Sequence, residues 1–318
     1  MSPIVNTKQV DVVNTKQVDV VKAKSVDVVN AMSVDVEDYF QVSAFERVVT
    51  RADWCGFESR VVNNTHQLLE LFHREGVRST FFVLGWVAER FPFLVKEIAG
   101  LGHEVASHGF NHELVYSLTP AQFREDVRRA KHTIEQATGA AVRGYRAPSF
   151  TIVKDTLWAL DVLIEEGHEY DASIFPIHHD RYGIPDAIRH PHTLTRPAGT
   201  IVEVPGSTVR TAGMNLPIAG GGYFRLLPYA WTRWGINQVN RVEGKPVTFY
   251  LHPWEIDPGQ PRLKVPAVTA LRHYTGLGSS RARLQRLIHD FRFDSIDAVL
   301  TWRAAERHGH LPGLAYAR

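Results

Sequence analysis

The chain has 318 residues and a single cysteine, Cys55. One cysteine cannot form an internal disulfide or a cysteine-rich zinc site, so any metal must be held by histidine and carboxylate side chains. The sequence has no apolar run of the ~18 residues that a transmembrane helix needs, and we expect none. It also lacks an apolar signal segment near its start, so we expect a cytoplasmic protein.

The chain also lacks a charge excess. Its 36 Lys and Arg residues nearly balance 34 Asp and Glu residues, for a net charge of +2. This balance does not predict a nucleic-acid-binding protein. No GxGxxG or GxxxxGK[ST] string follows the first predicted strand, which disfavours the nucleotide-binding folds. Nothing in the sequence indicates the oligomeric state.

The first 36 residues contain a repeat with a period of eight. Copies at 5–12, 13–20 and 21–28 precede a fourth, VNAMSVDV, at 29–36. The unit is shorter than the ~20 residues that a solenoid repeat requires. Only the fourth copy continues into Glu37-Asp38, so we predict that it is the first strand of the fold. Residues 1–31 are then expected to form a disordered extension. The alternative is that the repeat is a strand pairing at the domain edge.

From Val34 onward, predicted strands and helices alternate. Buried strands are predicted at 79–85, 142–145 and 246–251, and helices begin at signals such as Thr119-Pro120. About seven such βα alternations predict an α/β fold with a parallel sheet and helices outside it. A closed or distorted (β/α) barrel is the leading architecture, and an open doubly wound sheet is the alternative.

Five polar clusters follow these strand-like runs. One is HEVASHGFNH at 103–112, where His108 and His112 are four residues apart, a spacing typical of metal ligands. The others lie at 35–38, 143–150, 171–176 and 251–255. One cluster alone is more often an ordinary loop at a strand end. Five together predict an active site, because the carboxyl ends of barrel strands converge on one face.

In this order the clusters resemble the five motifs of the NodB-homology polysaccharide deacetylases, carbohydrate esterase family four. SVDVEDYFQVSAFE and YDASIFPIHHDRYGIP are similar to the subgroup associated with exosortase/PEP-CTERM exopolysaccharide loci. The resemblance covers residues 32–260, which we predict to be the deacetylase domain. Residues 261–318 resemble the extra C-terminal region of that subgroup, and we expect them to pack on the barrel.

The resemblance implies a metal-dependent hydrolase that removes N-acetyl groups from N-acetylhexosamine units of a polysaccharide or its precursor. His108 and His112 would be metal ligands. Asp35 aligns with the base that acts on metal-activated water, and Glu37, on the same face of the strand, aligns with the carboxylate ligand. The adjacent pair Glu37-Asp38 is the alternative for these two roles, which makes Asp38 the second candidate ligand.

The resemblance also implies the acid side of the site. His252 would be the general acid, Arg146 would orient the base, and Asp171 would support Arg146 or His252. The expected substrate-binding residues are Pro148, Ser149, Leu251 and Trp254.

Two imidazoles and one carboxylate leave an open position, as in catalytic zinc sites. Zn²⁺ is therefore the expected cofactor, although nitrogen and oxygen ligands also accept other divalent ions. An N-acetylated oligo- or polysaccharide is the expected partner. Two alternatives stay open: an allantoinase-like hydrolase of cyclic amides with the same fold, and a non-catalytic sugar-binding module.

Overall fold

A computed structural model describes residues 28–307 of the chain, with side chains to residue 302. The first three copies of the repeat lie almost entirely outside the described residues. The expectation of a disordered extension therefore concerns residues that the structure does not describe.

The described chain contains eleven strands. They are β1 Val29–Val36, β2 Thr80–Val83, β3 Glu104–Ser107, β4 Gly144–Tyr145, β5 Tyr170–Asp171, β6 His192–Arg196, β7 Gly199–Glu203, β8 Thr208–Thr211, β9 Met214–Pro217, β10 Thr248–Leu251 and β11 Arg292–Asp294.

Ten α-helices lie between or after these strands in the described residues. They are α1 Val61–Glu75, α2 Gly85–Arg90, α3 Pro92–Gly100, α4 Pro120–Thr138, α5 Trp158–Glu165, α6 Gly221–Leu226, α7 Tyr229–Asn237, α8 Ala267–Tyr274, α9 Leu277–Asp290 and α10 Ile296–Arg307. Among residues 28–307, no helix has both the length and the apolar composition needed to cross a membrane.

Seven strands pair in parallel in the order β10-β1-β2-β3-β4-β5-β7, and β6 adds to β7 in the antiparallel direction. The predicted α/β architecture with about seven parallel strands is confirmed. β10 forms the opposite edge of this order. The chain that follows β7 reaches it, since the backbone N–H of Thr248 in β10 donates to Ser207 Oγ over 2.7 Å. The sheet therefore curves towards the distorted barrel that the sequence predicts.

The first strand shows how alternation divides the two faces of the sheet. Val34 and Val36 join the core that lies between the sheet and the helices. Ser33 and Asp35 point to the other face, where both contact Arg146. Because side chains alternate along a strand, one short segment supplies both core and site residues.

Local signals place several helices correctly. Thr119 caps α4 by accepting a hydrogen bond from Gln122 N, and Pro120 occupies the first helical position. Gly139 ends the same helix with φ of 72°, a left-handed conformation that suits glycine. Pro92 separates α3 from α2, because proline suits the first position of a helix but not its interior.

Two strands of the structure bear on the predicted domain boundaries after residues 31 and 260. β1 begins at Val29, so a boundary after Ala31 would cut through the strand. The region after residue 260 contributes β11, which pairs in parallel with Val29–Ala31 of β1. Through β11, the region after residue 260 contributes a strand to the main sheet.

Candidate active site

The loop after β3 brings two histidines to one point. His108 directly follows the strand, and the loop returns to His112, whose φ of 54° is unusual for a residue other than glycine. Asp126 of α4 holds the loop by accepting from the backbone N–H of Phe110 over 2.8 Å. Gly109 is required here, since a Cβ at that position would lie 2.8 Å from Asp126 Oδ2 with φ at 74°.

Glu37 completes a three-residue cluster with these histidines. The candidate ligand atoms of Glu37, His108 and His112 all lie within 4.8 Å of one another, and all three residues are buried. His108 Nδ1 lies 2.8 Å from the carbonyl oxygen of Arg146, which leaves Nε2 free as a ligand. Glu37 Oε2 is buried and makes no hydrogen bond, although His112 Nε2 lies 2.8 Å away.

This donor set fits a divalent cation. Two ligand atoms that face each other at 2.8 Å without a hydrogen bond are what a shared cation would explain. Burial lowers the pKa of His108 to about 4, so its imidazole is neutral and able to bind a metal. Burial would raise the pKa of Glu37, but the imidazoles of His112 and His252 outweigh it and lower this pKa to about 2.

Asp38 has a different place. Its carboxylate accepts from Ser59 Oγ at 2.6 Å and from the backbone N–H groups of Arg60 and Val61 at 3.1 and 3.3 Å. It therefore caps the start of α1 rather than facing the histidines. This geometry disagrees with the alternative that makes Asp38 the carboxylate ligand, because the Asp38 side chain points towards the start of α1 and not towards the histidines.

Asp35 lies beside the cluster and is held by Arg146. Arg146 Nη1 contacts Asp35 Oδ1 at 2.6 Å and donates to Ser33 Oγ at 2.9 Å. Its Nε donates to the carbonyl oxygen of Ala172, and its guanidinium lies over the Phe82 ring at 4.1 Å. The structure thus brings Asp35 and Arg146 together as the sequence predicts.

His252 follows β10 and approaches both carboxylates. Its Nε2 lies 3.8 Å from Asp35 Oδ2 and 3.6 Å from Glu37 Oε1. Its Nδ1 lies 2.5 Å from Oε1 of Glu255, the last residue of the fifth cluster, whose role the residue spacing does not indicate. Burial lowers the pKa of His252, but Glu37, Glu255 and Asp35 outweigh it and raise this pKa to about 9.

Asp171 does not have the predicted contacts. Its carboxylate accepts from the hydroxyl of Ser173 at 2.5 Å and from the backbone N–H of Ser173 at 3.2 Å. β5 ends at Asp171 and the chain turns directly after it. The Asp171 carboxylate therefore accepts hydrogen bonds from groups of this turn. Among the described residues, Asp171 makes no direct hydrogen bond to Arg146 or His252. Ser173 Oγ, which donates to Asp171, accepts from the backbone N–H of Ala147 over 2.7 Å, and the support of Arg146 by Asp171 stays a prediction.

A cavity of about 680 Å³ opens above the cluster. Asp35, Glu37, both histidines of the loop, Ser149, His252 and Trp254 line it. Leu251 packs in the core instead, because alternation along β10 turns Tyr250 towards the cavity and Leu251 away from it. Pro148 is buried and does not line the cavity. Neither Leu251 nor Pro148 therefore lies at the surface where a substrate would bind.

Two family models match the chain. One, described as polysaccharide deacetylase, matches residues 53–163, and the other, described as a domain of unknown function (DUF3473), matches residues 172–301. His108, His112 and Arg146 fall in the first region. His252 and Glu255 fall in the second.

Curated relatives match a shorter segment. The peptidoglycan-N-acetylglucosamine deacetylase of Bacillus cereus is 30% identical over 98 residues, which are 30% of this chain and 36% of that protein. The peptidoglycan deacetylase of Helicobacter pylori is 32% identical over 114 residues, 36% of this chain and 37% of that protein. The chitooligosaccharide deacetylase of Bradyrhizobium is 32% identical over 100 residues, 31% and 43% of the two chains. The chain thus spans less than half the length of these relatives.

Solved structures share the fold over most of the chain. A Mycobacterium smegmatis protein with a proposed assignment as a polysaccharide deacetylase has a TM-score of 0.55 at 22% identity, covering 91% of this chain and 93% of that one. The PuuE allantoinase has a TM-score of 0.58 at 15% identity, covering 87% and 90%. At these identities the likeness establishes the fold.

Proposed function

The chain belongs to the polysaccharide deacetylase family, and on that premise we propose that it hydrolyses the N-acetyl groups of N-acetylhexosamine units in a polysaccharide or its precursor. The proposal includes a divalent cation, with Zn²⁺ expected, and the exopolysaccharide substrate class that the subgroup resemblance implies. The observation that carries it is the buried Glu37, His108 and His112 cluster beside the Asp35–Arg146 pair.

Each residue has a role in this proposal. Glu37, His108 and His112 would hold the cation, which would polarise the acetyl carbonyl and lower the pKa of a water. Asp35, fixed by Arg146, would take a proton from the attacking water. His252 Nε2, 3.8 Å from Asp35 Oδ2, would donate a proton to the departing nitrogen.

The base, one candidate ligand and the acid come from separate strand ends. Asp35 lies on β1, His108 follows β3 and His252 follows β10. These residues are far apart in the sequence, so they come together only because the parallel sheet forms. This favours an active site over a lone sugar-binding surface, which needs no buried carboxylates.

Acetate release from N-acetylglucosamine oligomers tests the proposal. We expect the metal-loaded protein to release acetate, and Asp35→Asn and His252→Ala to reduce the rate by ~10²-fold or more while still binding metal. No acetate release by a metal-bearing parent would contradict the proposed substrate. Ring-opening hydrolysis of allantoin, which releases no acetate and is measured separately, would then favour the cyclic-amide alternative.

A further inference from the structure

The region matched by the domain of unknown function, residues 172–301, supplies a distinct part of the cavity wall. Arg225, His252, Trp254 and His273 line the cavity from this region, whereas the candidate ligands and base precede it. We propose that this region builds the acid side of the site, with Glu255 and Arg225 as positioning residues for His252. The inference rests on the proposed deacetylase function.

The first contact in this arrangement joins His252 to Glu255. Pro253 starts a short 3-10 helix, Pro253–Ile256, directly after His252. This turn returns Glu255 to the histidine, so that Oε1 lies 2.5 Å from Nδ1. A carboxylate at Nδ1 keeps the proton on that nitrogen and directs Nε2 into the cavity.

The second contact joins Glu255 to Arg225. Arg225 Nε donates to Glu255 Oε2 over 3.1 Å, and the two side chains are 3% and 2% exposed. Arg225 Nη1 donates to the carbonyl oxygens of His273 and Thr275 over 2.7 and 2.8 Å, at the end of α8. A buried ion pair adds little net stability, so its main effect here is to fix the orientation of Glu255.

Stacked rings restrain His252 from the other side. Its ring lies 5.1 Å from the Trp254 ring at an angle of 21°, and Trp254 stacks on His273 at 4.2 Å and 14°. Trp254 Nε1 donates to Glu37 Oε1 over 3.2 Å. The same stack therefore connects the acid side of the cavity to a candidate metal ligand.

The arrangement has a defined chemical purpose in amide hydrolysis. As the C–N bond breaks, its electron pair goes to nitrogen, which takes the proton from His252 Nε2. The oxygen of water forms a bond to the acetyl carbon as Asp35 takes one of the water protons. The products are an amine and acetic acid, which ionises to acetate, and return of the proton from Asp35 to His252 restores both groups. An amine leaves poorly without that proton, whereas a nitrophenolate leaves unassisted, so misplacing His252 should slow the amide reaction selectively.

Glu255→Gln tests this selectivity, because it removes the charge and keeps the size. We expect kcat for N-acetylglucosamine oligomers to fall ~10–100-fold with KM within ~3-fold. Chelator-sensitive hydrolysis of 4-nitrophenyl acetate should stay within ~3-fold of the parent. Glu255→Asp, which keeps the charge, should retain more amide activity than Glu255→Gln.

The chain offers a matched control with the same three residue types. Glu243 Oε2 lies 2.8 Å from His190 Nε2, and Oε1 accepts from Arg189 over 3.0 Å, outside the cavity. Glu243→Gln therefore removes the charge of a second glutamate that contacts one histidine and one arginine. It should leave the ratio of amide to ester hydrolysis unchanged.

A spectroscopic readout tests the contact without catalysis. In protein with ¹⁵N-labelled histidine, the Nδ1–H of His252 should give a strongly downfield proton signal that moves upfield in Glu255→Gln but not in Glu243→Gln. Zinc binding, measured by equilibrium dialysis, should be equal in all three proteins.

Three outcomes would be decisive against the inference. Equal loss of amide and ester hydrolysis in Glu255→Gln, with zinc binding retained, would make Glu255 merely structural. Selective loss of amide hydrolysis in Asp171→Asn, with Glu255→Gln unaffected, would return the supporting role to Asp171. A parent that hydrolyses the ester but no N-acetylated oligomer would instead refute the proposed function, on which the inference rests.

Discussion

Arg146 Nη1 lies 2.6 Å from Asp35 Oδ1, and the two side chains are 2% and 3% exposed. Because Arg146 also donates to Ser33 Oγ and the carbonyl oxygen of Ala172, it holds the Asp35 carboxylate in place beside the metal-ligand candidates. A buried carboxylate is stable only with such a partner.

This relationship predicts the effect of Asp35→Asn. The variant should lose ~10²–10⁴-fold in kcat for N-acetylglucosamine oligomers, because asparagine cannot accept the proton of water. Acetate release measures the rate, and equilibrium dialysis with zinc provides the control. Loss of zinc binding together with activity would instead make Asp35 a ligand.

Glu37 and Asp38 should respond differently to the loss of charge. Glu37→Gln should weaken zinc binding ~10-fold or more, since it removes the only carboxylate of the cluster. Asp38→Asn should retain zinc and lower the free energy of unfolding by ~1 kcal/mol, because Asp38 caps α1. Equilibrium dialysis and urea denaturation separate the two effects, and the reverse pattern would exchange their roles.

His168 should make stability depend on pH. Burial, followed by the charge of Lys131, lowers its pKa to about 3, against about 6.5 in the unfolded chain. Below pH ~6.5 the unfolded state gains a proton that the folded state cannot take, so the free energy of unfolding falls by up to ~1.4 kcal/mol per pH unit.

His168→Phe should flatten this dependence, since phenylalanine can pack edge-on against Tyr145 as the imidazole does, with ring centres 5.7 Å apart. Urea denaturation between pH 7 and 4 measures the slope. His103, whose pKa burial lowers to about 4, leaves a residual slope in the variant. Identical curves for parent and variant would contradict the assignment.

The start of β1 should matter to stability. A chain that begins at Val29 retains Asn30, whose Oδ1 accepts from the backbone N–H of Val247 over 2.8 Å. A chain that begins at Met32 lacks this contact and the pairing with β11, and should be less stable by ~2 kcal/mol or more. Thermal and urea unfolding of the two chains compare them, and equal stability would place the start of the domain at Met32.

Much of the fold could be predicted because its signals are local. Alternation in β1, the Thr119-Pro120 cap and Gly139 each report on a few neighbouring residues. The elements that were not predicted include β6, β9, β11, α6 and α8. β11 has three residues, and β6 alternates between intermediate and exposed positions, so neither shows an apolar run.

The candidate site likewise contains residues that the sequence predicts and residues that it does not. The cluster of Glu37, His108 and His112 could be predicted because these candidate ligands lie in short motifs at strand ends. The direct contact expected of Asp171 is absent among the described residues, and the role of Glu255 was not predicted, because contacts across the cavity depend on how each loop turns. Residue spacing alone cannot show that a 3-10 helix returns Glu255 to His252.

The most direct test of the central claim is acetate release during a zinc titration of metal-free protein. With N-acetylglucosamine oligomers as substrate, the account predicts a rate that rises to one equivalent of zinc per chain and then stays level. Glu37→Gln should show no such break at one equivalent. Full activity in the chelated, metal-free parent would contradict the account, because the buried cluster would then have no part in the reaction.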